Sequence, residues 1–271
     1  MSKKTKQSKQ KRKVTTTSSS QVDTWLGLIQ GQIMRGNYTE AVPNCQRLLN
    51  YLPQHAPRRA LVLTHLGTAQ GMLQNFPESY EAFTAALALN PNNVQFWYNR
   101  SEASRFTDRH GQALRDIEHA IELNTSTELA EKFDEALKVS HKIAEESMKA
   151  REPNFTLDQL IEQEELLQQG LKLMKAGNWT EAGQAFEAGI AIGDGLPQPW
   201  GNLGICLMMQ ERYDEAEAAL KRALVIDPEY TLAKNNLASL PETRRLGPPE
   251  AIAMNDAWDS EIKHSIIFTR E

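Results

Sequence analysis

The chain has 271 residues, 40% apolar and 24% charged, enough apolar material for a core and too much for a fibre or a wholly unstructured polymer. Apolar runs stop after a few residues, so no membrane span is expected. The formal charge is −5, but residues 1–13 hold seven bases and no acid, which leaves 23 bases against 35 acids, or −12, for the rest; an acidic body has the wrong sign for a surface dedicated to phosphates.

In chain order, the first expected region is a basic tail over 1–21. The polar run Val14 to Ser20 follows its bases, so it lacks the apolar stretch of a secretion signal. Two readings stay open for it: a solvated unstructured extension, or a nuclear-import or weak polyanion-binding segment. Trp25, Leu28, Ala41, Cys45 and Pro53 come next, with a Gly36-Asn37-Tyr38 turn. Leu63, Leu66, Gly67, Phe83 and Pro91 form a second set, and Trp97, Ala113 and Ile117 a third.

The period then breaks. Ser126 to Ala150 carries Leu129, Phe133, Ala136, Ser140, Ile143 and Ser147 at helical spacing, which predicts one long joint helix capped by Ser126 or Thr127. Thr156 and Gln159 form a capping-box pair that opens the next helix. Leu166, Gly170, Leu173, Ala182 and Phe186 give a fourth set, with a Gly177-Asn178-Trp179 turn. Trp200, Leu203, Gly204, Leu207, Ala216, Leu220 and Pro228 give the fifth, 34 residues later. Tyr230 to Leu240 reads as a lone capping helix. Beyond it, 250–271 carry Trp258, Ile262, Ile266, Ile267 and Phe268 among charges, and fit either a docking segment that folds back or an unstructured end.

The fifth set resembles the tetratricopeptide-repeat pattern W-x2-L-G-x2-Y, A-x3-F, P, and the other four share its register. Departures include Ser79 for the small Ala, Arg100-Ser101 for Leu-Gly, and Gln32, Gln70 and Ser104 at the first-helix aromatic. The resemblance implies an all-α superhelix, an α-solenoid, of about five helix pairs with a joint helix and a C-terminal capping helix. Blocks are expected at 22–125 (three repeats), 126–155 (joint and linker), 156–240 (two repeats and the cap) and 241–271 (tail). Proline ends second helices because it cannot continue them, a Gly or Asn near each turn provides the required φ, and a single pair cannot bury its apolar face alone.

Chemistry-bearing motifs are absent from the sequence. It has no phosphate loop, no dinucleotide fingerprint and no nucleophile elbow. The six histidines have no zinc-protease spacing, and two cysteines, Cys45 and Cys206, cannot build a disulfide framework. The expectation is a non-catalytic cytoplasmic adaptor without cofactor or metal.

The resemblance implies that a partner peptide or amphipathic helix binds a concave groove lined by first helices. The expected contact residues are Tyr98, Asn99, Glu102, Arg105, Asn202, Ile205, Met208, Met209 and Asn236, with Gln168 in the same register one repeat before Asn202. Asn99, Asn202 and Asn236 share one repeat position, where an amide can pair with any peptide backbone. The C-terminal members are expected to form one exposed surface. The competing expectation is an RNA- or ribosome-associated factor that uses residues 1–13.

Overall fold

The computed structural model describes residues 19–248. The basic run 1–13 and residues 249–271, with Trp258 to Phe268, lie outside the described residues, so the tail readings are not addressed by it. Twelve α-helices and no strand occur among the described residues. Two compact units divide them, one ending at Pro91 and the other beginning at Asn92. That boundary falls between the second and third repeats, inside the block expected over 22–125.

The first unit holds α1 (Ser19–Met34), α2 (Tyr38–Tyr51), α3 (Arg59–Met72) and α4 (Phe76–Leu89). Ile29, Cys45, Leu48 and Val62 form its fully buried centre. The departures from the repeat pattern are compensated locally. Ser79 donates Oγ to the Gly67 carbonyl at 2.8 Å, so a hydroxyl is tolerated at a close helix contact because the opposing backbone accepts it. Gln70, in the aromatic slot, accepts from Asn75 Nδ2 at 2.9 Å, and Gln32 accepts from Asn44 Nδ2 at 3.1 Å.

The second unit holds α5 (Val94–Arg105), α6 (His110–Leu123), α7 (Ala130–Lys149), α8 (Leu157–Lys175), α9 (Trp179–Ile192), α10 (Pro197–Met209), α11 (Tyr213–Ile226) and α12 (Thr231–Leu246). Helices α5, α8, α10 and α12 stand as first helices. In α5 the Leu-Gly slot is filled by a buried ion pair: Arg100 bonds both oxygens of Asp116 at 2.7 Å, and Ser101 Oγ donates to the Ala113 carbonyl at 2.7 Å. Burial pushes the Asp116 carboxyl up, and Arg100 pulls it back. The later pairs keep the pattern. A Cβ on Gly204 would stand 2.6 Å from Leu220 Cγ, so only glycine allows α10 and α11 to approach that closely.

The joint helix α7 begins at Ala130, four residues after the expected Ser126, because Asn124 and Ser126 form a turn through their own side chains. Its buried stripe is Phe133, Ala136, Ser140 and Ala144. The Thr156–Gln159 capping box is formed in full. Helix α8 then anchors the start of α6: Glu164 Oε2 accepts the Gly111 N–H at 2.9 Å, and Arg109 Nε donates to Glu165 at 3.1 Å. Helix α12 continues through Pro241 to Leu246, past the expected end at Leu240, with Thr243 buried and bonded back to the Ser239 carbonyl.

Each turn inside a pair contains one left-handed residue: Gly36, Gln74, Asp108, Gly177 and Glu211. Their spacings reproduce the intervals of the sequence repeat. Only two of the five are glycine and none is Asn, so the expectation of Gly or Asn at the left-handed position is corrected at three turns. A side chain there costs about 1–2 kcal/mol, and the flanking helices hold the turn regardless.

Candidate functional site

The expected contact residues fall into two groups. On α5, Tyr98, Asn99, Glu102 and Arg105 are half-buried, each engaged with a neighbouring side chain. Tyr98 stacks on Phe133 of α7 with ring centres 5.2 Å apart, and Lys132 Nζ lies 4.3 Å from its ring centre. Burial raises the Tyr98 hydroxyl pKa, and Glu102 adds to this. Asn99 Oδ1 accepts from Gln95 Nε2 at 2.7 Å, and Glu102 pairs with Arg105 at 2.8 Å. This face offers an aromatic ring, an amide and both charges from one helix.

The second group is on α10 and α12, and its expected exposure is corrected. Asn202, Ile205 and Met208 are 0% exposed and Asn236 is 1% exposed; Met209 alone is half-buried. Ile205 and Met208 belong to the core with Leu203, Leu220, Leu232 and Ala233. Helices α9 and α11 pack along α10, and α12 seats on its start. A Cβ on Gly201 would stand 2.6 Å from Tyr230 Cε1 and 2.7 Å from Leu232 Cδ2, so the chain around α12 seats directly on α10. One sequence signal indicates this. Pro197–Met209 contains no charged residue, and a helix apolar all round is a buried helix.

Burial leaves unusual polar groups behind. Neither Asn202 Nδ2 nor Asn202 Oδ1 has a hydrogen-bond partner among the described residues, and Asn236 Oδ1 and Gln198 Oε1 also lack one. Asn236 Nδ2 donates to the Leu232 carbonyl at 2.8 Å. Unpartnered buried atoms occur on other helices as well, at Ser104 Oγ, Ser140 Oγ and Glu164 Oε1.

Neither thiol is activated. Burial pushes the thiols of Cys45 and Cys206 up to about 12, far from a nucleophilic thiolate. Among the described residues no three His, Cys, Asp or Glu side chains are placed to hold a metal, and no helix is long and apolar enough to cross a membrane.

Comparison with known proteins bears on the C-terminal repeat first. The family model described as tetratricopeptide repeat matches residues 197–230, the span of α10 and α11. A peroxisomal targeting signal receptor of Yarrowia lipolytica is 33% identical over 82 residues, which is 30% of this chain; the chain spans only 14% of that protein. The TPR2AB domain of yeast Sti1, solved in a complex with pHSP90, is 13% identical over 83% of this chain and 85% of its own, with a TM-score of 0.39. The MamA protein is 17% identical over 78% of this chain and 94% of its own, with a TM-score of 0.36. TM-scores below 0.5 leave the assignment to the matched repeat and to the helix pairs themselves. The match at 197–230 identifies one tetratricopeptide repeat on α10 and α11, and the same helix pair and left-handed turn recur along the described residues.

Proposed function

We propose that this chain is an adaptor whose second unit takes a peptide or helix of another protein along its first helices. Protein-protein interaction is the general role of the repeat; the assignment to this face is our reading. The observation that carries it is the half-buried α5 face, where Tyr98, Asn99, Glu102 and Arg105 bring an aromatic ring, an amide and both charges together. On α10 the half-buried Met209 lies on the same row of first helices.

Site-restricted cross-linking tests this. A photoreactive amino acid is placed in the full chain at Met209, at Arg105, or at Val225 on α11, which is 70% exposed. Partner adducts from Met209 or Arg105 and none from Val225 support the proposal. Adducts from Val225 alone would place the partner on the second helices and end it.

A further inference from the structure

The α5–α6 pair meets α8 where α6 begins. A Cβ on Gly111 would stand 2.8 Å from Ile161 Cγ1 and 3.2 Å from the Ile161 backbone nitrogen, so the first turn of α6 lies against α8. Glu164 stands in that contact with its side chain 2% exposed. Its Oε2 accepts the Gly111 N–H at 2.9 Å, and its Oε1 has no hydrogen-bond partner among the described residues. Amides in the first turn of a helix have no carbonyl of their own helix to bond, so Glu164 serves as the acceptor for this one.

The groups around the carboxyl leave Oε1 bare. From the start of α6, His110 Nδ1 is 3.9 Å from Oε1, too far to bond, and 2.7 Å from Ser147 Oγ of α7; its Nε2 faces Asp108 at 3.6 Å. Arg109 Nε turns to Glu165 at 3.1 Å. Arg151, just past α7, donates to the Ser147 carbonyl at 2.6 Å and to Gln163 at 2.5 Å. Gln163, beside Glu164 on α8, donates to the Gly189 and Gly193 carbonyls at 2.9 and 2.7 Å.

Burial pushes the Glu164 carboxyl up to about 8 and Asp108 adds to this, against the downward pull of the Gly111 and His110 N–H groups and of Arg151. The neutral acid fits the contact as it stands, since one oxygen accepts and the other carries the proton. A carboxylate does not fit, because its second oxygen would hold charge with no donor in reach; parting α6 from α8 lets water supply one. The ion pairs that also join these elements have their carboxylates in solvent: Glu165, paired with Arg109, is 45% exposed, and Asp158, paired with Arg115, is 86% exposed. Glu164 is the carboxyl buried inside the contact.

We infer that the α6–α8 contact is a proton-operated latch, closed while Glu164 holds a proton and loosened when Glu164 releases it, which frees the first turn of α6 from α8. A carboxyl held at about 8 in the closed contact and at its ordinary 4.5 in the open one favours the closed form at low pH and loses that preference as pH rises through 8. Between pH 6.5 and pH 9 the open fraction should grow about thirtyfold.

Exchange of the Gly111 amide with water, measured by NMR on the full chain, tests it. His110-Gly111 is the one His-Gly pair in the sequence, so isotopic labelling of histidine at its carbonyl carbon and of glycine at nitrogen identifies that amide. After correction for the intrinsic pH dependence of exchange, protection of Gly111 should fall at least tenfold from pH 6.5 to pH 9, while Gly183 in α9 and Gly204 in α10 keep theirs. Glu164→Gln, neutral throughout and still able to accept the Gly111 N–H, should hold its protection at pH 9; Glu165→Gln should respond to pH as the parent does. Constant protection of Gly111 in the parent would overturn the inference. So would an equal fall at Gly183 and Gly204, which would mean global unfolding, or a fall that persists in Glu164→Gln, which would assign it to another group. Should Glu164→Gln lose helicity by circular dichroism, the glutamate carboxyl resonances of the parent decide: one must titrate at the midpoint of the exchange change, and its absence removes the latch.

Discussion

The close approach of α8 and α9 gives a prediction whose sign the structure decides. Gly170 and Gly183 both lie in helix interiors, and a Gly→Ala change there gains about 1 kcal/mol of helix propensity. The surroundings differ. At Gly170 the new Cβ would stand 2.5 Å from Phe186 Cε1 and 2.6 Å from Cζ, and Phe186 is fully buried. Relief requires the ring to move by roughly 1 Å in a close-packed core, and overpacking of this kind costs about 1–3 kcal/mol; a rigid buried ring places the cost at the upper end. At Gly183 the nearest atoms are 3.6 Å away, ordinary contact. Gly170→Ala should therefore lower stability by about 1–2 kcal/mol and Gly183→Ala raise it by ~0.5–1 kcal/mol. For a unit of this size, at about 2–4 °C per kcal/mol, the two variants should melt roughly 5–10 °C apart when ellipticity is followed with temperature. Phe186→Leu, costly alone, should cost less in the Gly170→Ala background, since the two sites couple. A Gly170→Ala midpoint at or above the parent's would refute the packing argument.

Three further outcomes are expected. Arg100→Ala leaves Asp116 buried with Gln112 as its side-chain hydrogen-bond donor, and should cost about 3–5 kcal/mol in urea denaturation; Arg100→Ala with Asp116→Ala should cost less than Arg100→Ala alone. Burial raises Glu164 from 4.5 to about 8. In that window the unfolded chain releases the proton and the folded chain keeps it, so this contribution is complete below about 4.5 and is lost as pH rises through 8. Glu164→Gln should therefore gain on the parent, by denaturation midpoint, between pH 5 and pH 8. Cys45 and Cys206, both held near 12, should resist a thiol reagent at pH 8 in the native chain and react at once in denaturant; rapid native labelling would contradict the buried assignment.

The repeat was legible in the sequence because it is a matter of local sterics. Small residues where helices touch, large ones where they part, and a fixed interval between turns leave a periodic trace, and Gly204 with Leu220 shows the same complementarity in space. The capping box at Thr156 was legible for the same reason, its partners being three residues apart. The ion pair of Arg100 with Asp116 and the bond from Glu164 to the start of α6 were not legible, since they join positions 16 and 53 residues apart that no local rule relates. Burial of the expected surface was decided by tertiary structure as well. Register alone assigns Asn202, Ile205, Met208 and Asn236 to one row. Whether that row meets solvent depends on how closely the neighbouring helices seat: α9 and α11 pack along α10, and Gly201 under Tyr230 and Leu232 lets α12 close over its start. Sequence determines which residues share a face; the distance between neighbouring helices, set by all their side chains together, determines what that face can touch.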